Sequence, residues 1–145
     1  MITRLHTNET SDFEGRYYRL RQARCEPKPV QRPHPPICIG GSGEKRTLPI
    51  AARFAQHWNF VAGPPEAFAH KRDVLHDACR KIGRDPAEIT TSVQVFCGPD
   101  QDPKEVADNA ASYAEVGADL AVIGLAPPHN ASVLEPLADA LRQVP

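Results

Sequence analysis

The residues whose types and spacing point to chemistry lie in one segment, Pro36-Ile37-Cys38-Ile39-Gly40-Gly41-Ser42-Gly43-Glu44-Lys45-Arg46-Thr47. A short apolar run ends there in three glycines and a serine. Glycine has no Cβ, so such a turn exposes backbone N–H groups with no side chain in the way. A helix start just beyond adds partial positive charge. Together these make an anion site, most often for phosphate. Ser42 and Thr47 can add hydroxyl donors. Lys45 or Arg46 can neutralise charge, and Arg46 is better suited to a bidentate contact. The alternative is a glycine-rich turn that only closes a strand–helix corner, and the spacing leaves both readings open. The segment is not G-x-x-x-x-G-K-[ST]; Gly41 and Gly43 supply only the first half of G-x-G-x-x-G.

Little else in the sequence signals chemistry. Six histidines are scattered without H-E-x-x-H, and Cys25, Cys38, Cys79 and Cys97 form no C-x-x-C pair, so no metal site is expected. The cysteines read as small buried apolar residues in a reducing compartment, Cys38 and Cys97 in strands and Cys79 on a helix face. No nucleophile–histidine pair and no close carboxylate pair in a strand-end loop is evident. His57 is read as a packing or surface histidine in preference to a base. Trp58 and Phe96 are read as core aromatics in preference to pocket walls.

The glycine turn must be positioned by regular elements, and these are legible from residue 36 onward. Residues 37–39 read as a buried parallel strand. A helix over residues 44–56 follows, its first turn made irregular by Pro49, with the regular part starting near Leu48. Residues 57–61 form the second strand. Pro64-Pro65 opens a long helix carrying Phe68, Leu75, Cys79 and Ile82 on one face, with Gly83 beyond its end. Residues 89–97 alternate cleanly, with Ile89, Val93, Val95 and Cys97 on one face and Thr90, Ser92, Gln94 and Phe96 on the other. Asp102-Pro103-Lys104-Glu105 caps a helix that stops at Gly117. Residues 120–125 are the fourth strand, and the last helix carries Leu134, Leu137, Ala138 and Leu141.

Four strand–helix units imply a parallel sheet with right-handed crossovers. They amount to half of a (β/α)8 barrel, which typically needs about 250 residues. A doubly wound open sheet is the alternative. Before residue 36 the pattern differs. Residues 1–12 read as a frayed helix end or loop, and residues 13–20 as a small hairpin or extended excursion. Pro27, Pro29, Pro33, Pro35 and Pro36 mark an extended, stiff connector, with a proline-motif ligand as the lesser alternative. The division is therefore residues 1–35 as an insertion segment and residues 36–145 as four β/α units.

Seventeen basic and eighteen acidic residues give a net charge of −1, which leaves no electrostatic footprint for nucleic acid or an acidic membrane. No apolar run is long enough to span a bilayer, and the polar N-terminus has no signal-peptide core, so a cytoplasmic location is expected.

Several segments in order resemble the luciferase-like superfamily. They are Phe13-Glu14-Gly15-Arg16-Tyr17-Tyr18, the proline stretch 27–37, Gly40-Gly41-Ser42-Gly43, Ala51-Ala52-Arg53-Phe54-Ala55 leading to His57-Trp58-Asn59, Gly83-Arg84-Asp85-Pro86, and Gly117-Ala118-Asp119. Within it the chain is most similar to the oxidoreductases that use coenzyme F420, with FMN as the alternative cofactor. The Gln56-His57 pair departs from the family, which usually has glycine there. The resemblance implies a (β/α)8 barrel with an insertion before the fifth strand, so this chain would hold strands five to eight, the C-terminal half. It implies that Gly40 and Gly41 approach the cofactor phosphate through backbone N–H, with Ser42 and Gly43 as neighbours. Arg46 as a phosphate partner is inferred from its position. The groups that do acid–base work and cup the ring would lie largely on the four strands absent here. Catalytic residues are thus not assigned, and the chain alone is expected to turn over poorly or not at all. The substrate would be a small organic molecule. A half-barrel with open edges implies self-association, an N-terminal half-barrel partner, or a truncated product. A non-catalytic half-barrel that binds a phosphorylated ligand or a partner half is the second reading.

Overall fold

A computed structural model describes residues 1–144. The chain separates into two compact units, Met1–Pro36 and Ile37–Pro145. In the first, helix α1 (Ile2–Thr7) precedes an antiparallel hairpin of β1 (Ser11–Glu14) and β2 (Arg19–Ala23). Of the two readings of the aromatics flanking Glu14-Gly15, a hairpin or an extended excursion, the hairpin is the one found. The Phe13 ring lies 2.7 Å from where a Cβ on Gly15 would stand, which is why the turn begins with glycine. An irregularity in pairing between Ser11 and Phe13 is held by Asp12, whose carboxylate accepts the Gln22 backbone N–H at 2.9 Å and its side-chain amide at 3.2 Å.

The proline stretch departs from the expected stiff, extended connector. Bends occur at Glu26-Pro27 and over residues 30–33. Two cations fold the backbone around themselves. Arg32 Nη1 donates to the carbonyls of Pro29, Val30 and Gln31 at 2.6, 3.3 and 3.3 Å. Lys28 Nζ donates to those of Leu5 and Cys25 at 3.2 and 2.9 Å. A proline-rich backbone has few N–H groups to offer its own carbonyls, and here side-chain donors satisfy several of them.

The second unit is a four-stranded parallel sheet, β3 (Cys38–Gly40), β4 (His57–Phe60), β5 (Thr90–Cys97) and β6 (Leu120–Leu125), in sequential order. Between and after the strands come α2 (Thr47–Phe54), α3 (Pro65–Lys81), α4 (Pro103–Glu115) and α5 (Leu134–Leu141). Sequential order without reversal is single winding; a doubly wound sheet needs a switch point. Ile39, Trp58, Phe60, Val93, Val95, Cys97, Ala121, Ile123 and Leu125 point to one face and pack with residues of all four helices. The opposite face carries Cys38, Gly40, His57, Asn59, Ser92, Gln94, Phe96, Leu120, Val122 and Gly124, and it is largely bare within this unit: Cys38, Phe96, Leu120 and Val122 are exposed.

Local rules account for the element ends. Pro49 is the third residue of α2, where no backbone N–H partner is due. Gly83 (φ 71°) and Gly117 (φ 88°) close α3 and α4 in the same way. In α3 the N–H groups of Gly83 and Arg84 return to Arg80 and Cys79; in α4 those of Gly117 and Ala118 return to Ala114 and Tyr113. Asp102 caps α4 by accepting the Lys104 N–H at 2.9 Å. No described helix is long and apolar enough to cross a membrane.

Four expectations about burial are corrected. Cys38 is exposed, because it sits on the edge strand and on the bare face. Cys25 is half-buried, and only Cys79 and Cys97 are buried. Ile82 is exposed because it follows the last turn of α3, and Leu134 because it opens α5.

The two helix-ending glycines should differ in sensitivity. Nothing lies within 4 Å of a Cβ on Gly83, so Gly83→Ala carries only the left-handed backbone penalty, about 1–2 kcal/mol. A Cβ on Gly117 would displace Arg72, which donates to the Val116 carbonyl. The flexible end of Arg72 can move aside at the cost of that one hydrogen bond, so Gly117→Ala should cost about 0.5–1.5 kcal/mol more, read as a lower urea midpoint.

Candidate functional site

The glycine turn joins β3 to α2, at the C-terminal end of a parallel strand, where α/β sheets bind their ligands. Gly41 lies at φ 110°, a conformation that favours glycine. Its N–H donates to the Asn59 carbonyl at 3.1 Å, continuing the sheet. That N–H is therefore spent inside the protein, and Gly41 serves the turn by its conformation. Its carbonyl accepts from Trp58 Nε1 at 2.8 Å. Trp58 is fully buried, stacks on Phe68 at 5.7 Å and 15°, and so ties the turn to the core. The core reading of Trp58 holds, with this added role.

Beyond Gly41, the Gly43 carbonyl accepts the N–H groups of Arg46 (3.4 Å) and Leu48 (3.0 Å). Among the described residues, the N–H groups of Ser42, Gly43, Glu44 and Lys45 find no backbone carbonyl. Four neighbouring unpaired donors at the start of a helix are what an anion requires. A Cβ on Gly43 would stand 3.0 Å from Thr47 Oγ1, so a larger residue there would crowd that hydroxyl. Gly40 is different. Its φ is ordinary, and a Cβ would have no neighbour closer than 4.0 Å. The packing of this chain does not call for glycine at residue 40, and the open space above it is a cradle that a side chain would fill.

Charge around the turn is arranged unevenly. Lys45 and Arg46 are exposed and form no ion pair among the described residues. Glu44, the one anion in the turn, is drawn to α3. Its Oε1 accepts from Lys71 Nζ at 2.5 Å and lies 3.0 Å from His70 Nε2. Those two bonds hold its carboxyl below the usual glutamate range.

The bare sheet face holds a polar hub that the sequence did not reveal. Ser92 Oγ is 2.6 Å from His57 Nε2 and accepts from Asn59 Nδ2 at 2.8 Å. A serine–histidine pair therefore exists, contrary to expectation. Ser92 is fully buried, and His57 begins β4, at the end of the sheet associated with stability. The pair is a satisfied interior network, which agrees with the packing reading of His57. The signal was available in principle: Asn59 and Ser92 are in register. Asp119 has a similar role at the start of β6. Its carboxylate takes the Thr91 N–H at 2.7 Å and the Thr91 hydroxyl at 2.9 Å. Among the described residues no cluster of three or more His, Cys, Asp or Glu could hold a metal ion. Phe96 departs from the core reading: it is 64% exposed, on the bare face at the C-terminal end of β5.

A family model described as luciferase-like monooxygenase matches residues 1–143. Among solved structures, an F420-dependent secondary alcohol dehydrogenase in complex with an F420–acetone adduct aligns with a TM-score of 0.76 at 17% identity, over 98% of this chain and 58% of its own. A coenzyme F420-dependent tetrahydromethanopterin reductase from Methanopyrus kandleri aligns with a TM-score of 0.79 at 13% identity, over 97% of this chain and 60% of its own. A monooxygenase from Streptomyces bottropensis gives 0.68 at 19% identity, over 97% and 55%. The likeness to these structures is one of fold. The chain spans between 55% and 60% of their lengths.

The Glu44 tether makes a pH prediction. The folded-state pKa is depressed, so the tether is intact above the ordinary glutamate range and is lost as pH falls through the lower, folded value. In a carbon-detected NMR titration, Glu44 should titrate below the usual value of about 4.3. Lys71→Ala should move it back up, and an unchanged midpoint in that variant would show the tether to be absent in solution.

Proposed function

The chain belongs to the luciferase-like monooxygenase family, and from that premise we propose that it supplies the phosphate-holding region of an oxidoreductase that uses a flavin or deazaflavin, F420 in preference to FMN. In this reading residues 36–145 are strands five to eight of a (β/α)8 barrel, and residues 1–35 are an insertion ahead of the fifth. The sequential strand order, the helices packed on one face and the partial coverage of the F420-dependent structures support it.

The observation that carries the cofactor assignment is the Trp58–Gly41 hydrogen bond with the donors it leaves unpaired. The indole holds the Gly41 carbonyl inward, and the N–H groups of Ser42, Gly43, Glu44 and Lys45 remain free. A phosphate would be held there, with Gly40 giving it room, the Ser42 hydroxyl adding a donor and Arg46 supplying positive charge. The Lys71–Glu44 bond keeps the one nearby anion engaged elsewhere. When bound, such a cofactor supplies hydride chemistry toward a small organic substrate, or flavin-dependent oxygenation. This chain's residues bind and orient its phosphate end. Acid–base groups are assigned to the region of the barrel that this chain does not contain. The isolated chain should accordingly turn over little or nothing.

A second reading is favoured by one observation, the bare face of the sheet. A half-barrel that docks a partner half, or a second copy, and binds a phosphorylated ligand without chemistry would show the same turn.

The test is a titration of the 145-residue chain with F420, followed by fluorescence polarisation, with FMN as comparison. Saturable F420 binding, weakened about tenfold or more by Gly41→Asp, is expected. A parallel titration with inorganic phosphate should perturb the emission of Trp58, the only tryptophan. Binding of neither cofactor, with no phosphate response, would sink the reading of a preformed phosphate end. F420-linked turnover by the pure chain would sink the claim that it is inactive alone.

A further inference from the structure

The bare face of the sheet changes character along the strands. Register sets Ser92 beside Leu120, Gln94 beside Val122 and Phe96 beside Gly124. The first two rows lie toward the strand starts and middles, and they carry the branched residues that fill the layered interior of a closed parallel barrel. The third row lies at the C-terminal ends, where barrels of this kind bind their ligands. In that row β5 presents a large aromatic ring and β6 presents no side chain at all.

The two residues are matched. A Cβ on Gly124 would stand 3.2 and 3.3 Å from Cδ1 and Cε1 of Phe96, and 3.1 Å from Nε2 of Gln94. The backbone of Gly124 is not in the left-handed region, so its conformation does not call for glycine. The space above it is filled by the Phe96 ring and the edge of the Gln94 amide. Phe96 is bedded on β6 in this way, yet 64% of it is exposed. The Gln94 side chain is half-buried, and no side-chain hydrogen bond among the described residues engages its amide. An open aromatic ring with an unused amide beside it matches a flat ring that has a polar edge.

We propose that Phe96, bedded on Gly124 with the Gln94 amide at its rim, is a stacking platform for a planar heteroaromatic ring. The ring lies on the open side of Phe96, and one polar atom of its edge meets the amide. Two sources share this chemistry: the conjugated ring of a redox cofactor and an aromatic substrate. The inference extends the cofactor reading above but does not use the glycine turn, so the two can fail separately.

The probe is riboflavin, which has a planar tricyclic ring and no phosphate. Titrated against the 145-residue chain and followed by polarisation, it should bind saturably. Phe96→Ala should weaken binding about fivefold or more, and Phe96→Tyr should restore it to within about twofold. Gly124→Ala, which pushes the ring off its bed, should also weaken it. Trp58 emission and far-ultraviolet circular dichroism report whether each variant is folded. Equal riboflavin binding by folded Phe96→Ala, or no saturable binding by the unaltered chain, overturns the proposal. A chain that binds riboflavin but shows neither a phosphate response nor cofactor binding weakened by Gly41→Asp keeps the platform and loses the glycine-turn reading. Displacement of riboflavin by FMN, with FMN binding itself weakened by Phe96→Ala, assigns the platform to the cofactor ring. Simultaneous binding of both assigns it to a substrate ring.

Discussion

The second unit depends on one side chain being in two places at once. Trp58 stacks on Phe68 inside the core, and its indole N–H reaches out to the Gly41 carbonyl. The stacking contributes through the area it removes from water, about 1.5–3 kcal/mol for a buried ring. The hydrogen bond adds about 1 kcal/mol but decides the direction of a whole turn. A buried indole that found no acceptor would be costly, so the turn is held in the one conformation that supplies it. Phe60, Phe68 and Tyr113 pack around the same point with ring separations of 5.7 and 6.2 Å, which leaves Trp58 little freedom to move away.

Single winding sets the second constraint. Right-handed crossovers between strands taken in order deliver every helix to the same face. One face of the sheet becomes core, and the other is left with polar groups that must satisfy one another. Ser92, His57 and Asn59 do so by hydrogen bonds across two strands, and this explains how a fully buried serine is tolerated. Leu120 and Val122 have no such option and remain exposed on the same face.

Much of this was legible in the sequence, for local reasons. The alternation over residues 89–97, the glycines ending α3 and α4 and the Asp102 cap depend on near neighbours along the chain, and the structure follows them. Gly40-Gly41-Ser42-Gly43 was recognisable as a strand–helix turn by composition alone. What escaped notice required register or tertiary context. Ser92 gained its partners from β4, and nothing in residues 89–97 announces them. Cys38 reads as buried until β3 proves to be an edge strand. Nothing along the chain marks Arg32 as the residue that gathers three carbonyls. The N–H of Gly41, expected to face a ligand, is taken by a strand that a linear reading does not place beside it.

The clasp of Asp119 on Thr91 has a further consequence. It secures the starts of β5 and β6, and the Gln56 amide oxygen does the same for β3 by accepting the Ile37 N–H at 3.0 Å. Arg84, donating to the Ala52 carbonyl at 2.9 Å, anchors the end of α2 at that same side. The strand ends opposite are fastened too, by Trp58 Nε1 on the Gly41 carbonyl at 2.8 Å, by the Tyr113 hydroxyl on the Gly63 carbonyl and by the Gly98 N–H on Gln101 Oε1 at 3.1 Å. Mutations of the fastening residues at either end are screened for survival first, whereas exposed turn residues such as Lys45 and Arg46 can be tested by evolution for new ligands without wagering the fold. The molecule thus divides its own sequence into a conservative set and an inventive one, and a lineage built on it could change its chemistry many times while keeping its shape.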